Sequence, residues 1–169
     1  FKYFFTKKLI FIKESDATIL LPGGVGTLDE GFENLTLFQT GKSLPRPIIL
    51  LEPKNGDYWK TWLDWVNAVL IKNKFISPDD INLFQLKHSA KEACNAILKF
   101  YCVYHSLRYF KGLTIIRCIK PIPLKIIERL NDEFKDIVTE GKIYSSPPLQ
   151  GETKSDDRTH KMPRLVFKF

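Results

Sequence analysis

The stretch Ala17-Thr18-Ile19-Leu20-Leu21-Pro22-Gly23-Gly24-Val25-Gly26-Thr27-Leu28-Asp29-Glu30 decides how this chain is read. Residues 17–21 form a continuous apolar run, as expected of a short strand covered on both faces. Pro22 to Gly26 reads as a turn. From Thr27 to Thr40 the apolar positions Leu28, Phe32, Leu35 and Phe38 fall four and three apart, which predicts a helix, and Gly41 suits the position just beyond its end. A glycine-rich turn between a strand and a helix lets backbone amides approach an anion closely, and the helix N-terminus adds unpaired donors and partial positive charge. This is the pattern of a phosphate cradle at the carboxyl end of a parallel strand. A second reading stands beside it. Thr27-Leu28-Asp29-Glu30 also fits a capping box, in which Glu30 does nothing more than close the helix start.

Working outward, residues 1–14 are expected to be helical and largely buried, with polar breaks at Thr6-Lys7-Lys8 and Lys13-Glu14. Pro47 to Leu51 is a second buried strand. Tyr58 to Ile71 is a helix carrying Trp59, Trp62 and Trp65, a stripe expected in the core or a subunit interface. Ser77 to Asp80 starts a helical turn, Ile81 to Leu86 is expected to form a third strand, and Ser89 to Tyr104 is a helix. Strands alternating with helices imply a parallel α/β sheet of Rossmann type. Downstream, Leu113 to Ile119 is a strand, Leu124 to Val138 an amphipathic helix, 139–162 a polar mobile loop, and Arg164 to Phe169 a returning strand. The expected division is a Rossmann-like domain over residues 1–110 and a small α+β appendage of β-α-β type over 111–169.

Composition narrows the function. The 169 residues include 44% hydrophobic and 27% charged residues, a balance typical of soluble globular domains. No apolar run approaches the roughly 20 residues that span a membrane. Cys94, Cys102 and Cys118 are odd in number and lack C-x-x-C spacing, which argues against disulfides or zinc and for a reducing cytoplasm. His88, His105 and His160 are scattered, so no metal site is expected. The net charge of +7 is spread along the chain without a basic helix face, so no nucleic-acid partner is expected.

The sequence resembles the Lonely Guy (LOG) family, long labelled possible lysine decarboxylases, whose signature PGG-x-GT-x-x-E stands here as Pro22, Gly23, Gly24, Gly26, Thr27 and Glu30. The flanking KK-x-x-F-I-K-x-SDA, F-E-x-LTL-x-QTGK and PIILL segments are similar too, and Tyr104 to Tyr109 with Pro163 to Phe167 resemble a longer-tailed branch. The resemblance implies hydrolysis of the N-glycosidic bond of a nucleoside 5′-monophosphate, AMP or an N6-modified AMP. Gly23, Gly24, Val25, Gly26 and Thr27 would hold the phosphate. Glu30 would act at the ribose, and the residue at position 7 would work with it. The resemblance also implies a homodimer with shared active sites. No pyridoxal-phosphate lysine motif is recognisable, so the decarboxylase label finds no support and no cofactor is expected.

Two departures from the family pattern motivate an alternative, a nucleotide-binding protein without catalysis or an inactive truncated member. Lys7 stands where the family has arginine. The chain also begins at Phe1 with its only methionine at Met162, and the start is read as a missing strand-helix-strand with further glycine loops. Among the other polar candidates, Asp16, Gln39, Thr40, Lys42, His105 and Arg108 each have a structural explanation. For His105 and Arg108 the structural explanation is preferred.

Overall fold

The computed structural model describes residues 3–152 and 157–169. Two compact units result, Phe1–Phe100 and Tyr101–Phe169. The first residues of the expected N-terminal helix, 1–2, and residues 153–156 of the expected 139–162 loop lie outside the described residues.

The first unit runs α1 (Phe4–Lys13), β1 (Thr18–Leu20), α2 (Val25–Gln39), β2 (Ile48–Leu51), α3 (Tyr58–Trp65), a π-helical turn (Val66–Ile71), a 3-10 turn (Pro78–Leu83), β3 (Gln85–Lys87) and α4 (Ala90–Tyr101). The strands form a parallel sheet in the order β1-β2-β3, with Thr18 beside Ile48, Leu20 beside Leu50, and Leu50 beside Leu86. This is the parallel, helix-flanked Rossmann-like sheet expected from the apolar runs. Leu20, Ile48, Leu50 and Trp59 form its core, with Leu28, Leu35 and Phe38 of α2 packed against them. At Gly31 a side chain would press within 3.0 Å of Leu20 Cδ1, so the glycine lets α2 lie close on β1. The helix ends as predicted: Gly41 has φ +67, and the amides of Lys42 and Gly41 bond the carbonyls of Leu37 and Phe38.

Three expectations for this unit need correction. The first helix is not largely buried, because Leu9, Ile10 and Phe11 are exposed. It meets α2 instead through the buried Lys8, which pairs with Asp29 and Glu33. The run 17–21 is not covered on both faces: β1 stands at the end of the strand order, and Ile19 and Leu21 are exposed. Of the tryptophans, Trp59 is in the core at 1% exposed, while Trp65, two turns on, is 45% exposed. The third strand is confined to Gln85–Lys87, because Pro78–Leu83 is taken up by the 3-10 turn, which Ser77 and Asp80 cap reciprocally.

The second unit is a four-stranded antiparallel sheet of order β4-β5-β7-β6, from β4 (Tyr104–Phe110), β5 (Leu113–Cys118), β6 (Glu140–Ser146) and β7 (Arg164–Lys168), with α5 (Leu124–Glu133) and a single turn α6 (Asp157–His160). It is larger than a β-α-β appendage. Tyr104–Phe110 pairs as a hairpin with β5, which puts those residues in this unit. Residues 140–146 of the expected loop form a strand paired with β7. Only Ile143 of that strand is buried, so it carries no alternating pattern to betray it. Its core gathers Cys118, Ile127, Ile143, Leu165 and Phe167. On β5 and β7 the paired Arg117 and Arg164 both bond Glu152.

Candidate active site at the start of helix α2

Parallel strands place the β1–α2 and β2–α3 connections at the same edge of the sheet, their carboxyl ends. The β1–α2 connection is the glycine motif. Helix α2 begins at Val25 with Gly24 as its N-cap, two residues earlier than the apolar spacing indicated, and no side chain caps it. Thr27 is therefore the third helical residue, its amide bonding the Gly24 carbonyl at 3.0 Å. The capping-box reading fails on this geometry, since Glu30 sits a turn too far along to reach the N-cap.

Each glycine of the motif has its own reason, or lacks one. A side chain at Gly23 would collide with Thr27 Oγ1, so that position is closed by the fold itself. Gly24 and Gly26 differ. A Cβ on either would meet nothing within 4 Å, and Gly24 has φ −85, accessible to any residue. Neither crowding nor backbone strain within the chain calls for glycine there, although glycine in a helix costs about 0.5–1 kcal/mol relative to alanine. Both positions face open space at the rim of the helix start. Val25 contributes backbone to this rim, and its side chain is exposed.

Thr27 and Glu30 lie three apart on α2 and so share a face. The Glu30 carboxylate, 22% exposed, stands 3.8 Å from Lys7 Nζ on α1. Lys7 also lies 5.3 Å over the Phe11 ring. The expected pair Lys7 and Glu30 is thus brought together, beside the cradle residues. Three further groups set the distance between the helices. Lys8 Nζ bonds Asp29 at 2.6 Å and Glu33 at 2.8 Å, and these hydrogen bonds hold its ammonium well above the ordinary lysine range. The buried Arg46 donates to the Ser15 carbonyl at 3.0 Å and to Ile12 O and Asn34 Oδ1. Asn34 in turn donates to the Glu30 carbonyl at 2.7 Å. Sequence reading missed this Lys8–Arg46–Asn34 framework. Its one local sign is Asn34, a polar residue one place before core residue Leu35 on α2.

Other candidates fall elsewhere. Gln39 donates to Asp80 at 2.6 Å and Thr40 bonds back to the Thr36 carbonyl, both at the far end of α2, roughly 20 Å from the cradle at 1.5 Å per residue. His105 contacts Ser106 Oγ at 2.9 Å and Arg108 lies 3.6 Å from Glu152, structural contacts within the second unit. Among the described residues no cluster of His, Cys, Asp or Glu is arranged to hold a metal ion. An apolar crevice of about 100 Å³ between α2 and the 3-10 turn, lined by Phe32, Trp62, Leu70 and Phe84, lies apart from the cradle.

A family model described as possible lysine decarboxylase matches residues 1–97. The chain belongs to this family, the Lonely Guy family. Two curated relatives carry the name cytokinin riboside 5′-monophosphate phosphoribohydrolase. The one from Mycobacterium tuberculosis is 34% identical over 91 residues, 53% of this chain and 46% of the relative. The one from Arabidopsis thaliana is 36% identical over 86 residues, 51% of this chain and 38% of the relative. The chain thus spans less than half the length of either curated relative. The matched part of this Lonely Guy member is its first unit, which holds the whole of the site above. Among the described residues no helix is long and apolar enough to cross a membrane.

Proposed function

We propose that this chain acts on a nucleoside 5′-monophosphate, AMP or an N6-modified AMP, as a cytoplasmic phosphoribohydrolase releasing the free base and ribose 5-phosphate. The observation that carries the reading is the cradle. Gly24 and Gly26 leave space that the fold does not need, directly before the uncapped start of α2 and one turn from a carboxylate. The names of the two relatives support the same reaction class. In the proposed reaction water adds to C1′, the bond to the base nitrogen breaks, and the base leaves with a proton. Glu30 stabilises the oxocarbenium-like C1′ or takes the proton of the attacking water, as carboxylates do in glycoside hydrolysis. Lys7 supplies positive charge to the phosphate or the departing base. No cofactor takes part. The exposed apolar residues Leu9 and Phe11 of α1 and Trp65 support association into a homodimer.

The test is release of adenine from AMP, together with affinities for AMP and adenosine. A Gly26→Ala variant is expected to raise thermal stability, by about 0.5–1 kcal/mol, while weakening AMP and sparing adenosine. If AMP binds the variant as tightly as the wild type, the cradle is not a phosphate site. A Lys7→Arg variant restores the forked guanidinium, and base release is expected to rise about tenfold, the equivalent of one charge-assisted hydrogen bond. Tight AMP binding without release in either protein would favour the alternative, a non-catalytic nucleotide binder, for which Lys7 is the motivating feature.

A further inference from the structure

Helix α3 reaches across to the glycine loop at two points. Tyr58 Oη donates to the Gly23 carbonyl at 2.6 Å, and Trp59 Nε1 donates to the Leu20 carbonyl at 3.1 Å. These two carbonyls bracket the turn between β1 and α2. The start of α3 is itself fixed by Glu52, 2% exposed, whose carboxylate accepts from the Trp59 amide at 2.9 Å and the Lys60 amide at 3.2 Å. Gly56 lets the connecting loop fold tightly onto that carboxylate, since a Cβ there would lie 3.1 Å from Glu52 Oε2. Tyr58 and Trp59 also pack edge to face, with centroids 4.8 Å apart.

We infer that Tyr58 is a positioning residue for the phosphate cradle, holding the Gly23 carbonyl so that the open side of the loop stays turned to the ligand. The inference rests on the proposed function and deepens it. A peptide group is planar, so fixing the Gly23 carbonyl also fixes the direction of the Gly24 amide that shares its peptide bond. Tyr58 is not a phosphate ligand. Its only hydroxyl proton is committed to Gly23, and the oxygen that remains is an acceptor, which a phosphate oxygen does not seek. Trp59 is buried in the core, so its removal would disturb the packing, whereas the half-buried Tyr58 can lose its hydroxyl with the ring left in place.

The experiment uses Tyr58→Phe in the full chain, with calorimetric affinities for AMP, ribose 5-phosphate and adenosine, and amide exchange at residues 23–27 without ligand. AMP and ribose 5-phosphate are expected to weaken about fivefold, the loss of one neutral hydrogen bond. Adenosine affinity should hold, and loop exchange should speed up. Unchanged exchange or unchanged AMP affinity overturns the inference. Equal weakening of AMP and adenosine overturns it as well, since that is general structural damage. If wild-type protein binds neither AMP nor ribose 5-phosphate, the cradle reading itself fails, and that result is distinct from failure in the variant alone.

Discussion

Under the proposed function, replacing Glu30 by Gln is expected to lower release of adenine from AMP by about 10³-fold, within the range ascribed to a positioned acid or base. Affinity for AMP is expected to move the other way. Glu30 and Lys7 are 3.8 Å apart, so removing the negative charge takes away a carboxylate that repels the phosphate and competes with it for the Lys7 ammonium. A drop in turnover joined to equal or tighter binding separates this role from two others. A helix cap would show itself as lost thermal stability with turnover intact, and the helix start at Val25 already places Glu30 beyond capping reach. A ground-state contact to ribose would weaken AMP and adenosine together. Single-turnover release with the two variants Glu30→Gln and Glu30→Asp gives the answer. A Glu30→Gln variant that turns over like wild type ends the assignment of Glu30.

What was legible in the sequence was what local pattern encodes. The run at 47–51 is buried in the parallel sheet and so lacks alternation, and it appears as β2; the run at 17–21 appears as β1, although Ile19 is exposed and only Leu20 of that strand is buried. The motif marked the turn between β1 and α2, and Lys7 stands 3.8 Å from Glu30, the pair that the resemblance singled out. The helix start was misplaced because Gly24 caps through its backbone, without the hydroxyl or carboxylate that usually marks an N-cap. Groups acting across long sequence separation left no sign. Tyr58 meets Gly23 over 35 positions and Arg46 meets Ser15 over 31, and neither contact has a spacing rule. Burial of Lys8 was hidden for the same reason: its adjacent polar neighbours suggested a solvated break, while its partners sit on another helix. In the second unit, strand β6 has one buried side chain, too few to set a period.

The second large effect is expected at Glu152, in the second unit. Its carboxylate, 2% exposed, accepts from Arg117 at 2.8 Å and from Arg164 at 2.8 Å, with Arg108 at 3.6 Å. Burial alone would push this carboxyl up, but the hydrogen bonds from Arg164 and Arg117 outweigh it and hold the group down at about 2, against an ordinary 4.5. A depressed carboxyl adds stability above its unfolded value and loses it as pH falls toward the folded one. The second unit is therefore expected to hold from neutral pH to about 4.5 and to weaken progressively between there and about 2. Replacing Glu152 by Gln removes the charge between buried guanidinium groups and should cost about 3–5 kcal/mol, as for breaking a buried ion pair from one side. Amide exchange along β5 and β7 reads this directly, because both arginines bonded to Glu152 sit on those strands. The share of the acid-induced loss that comes from Glu152 should also vanish in Glu152→Gln, since no proton is left to bind there, while the smaller share from Glu140, lowered by Lys168, remains. A variant whose β5 and β7 amides exchange as slowly as wild type at pH 7 would mean that the arginines are held by other partners.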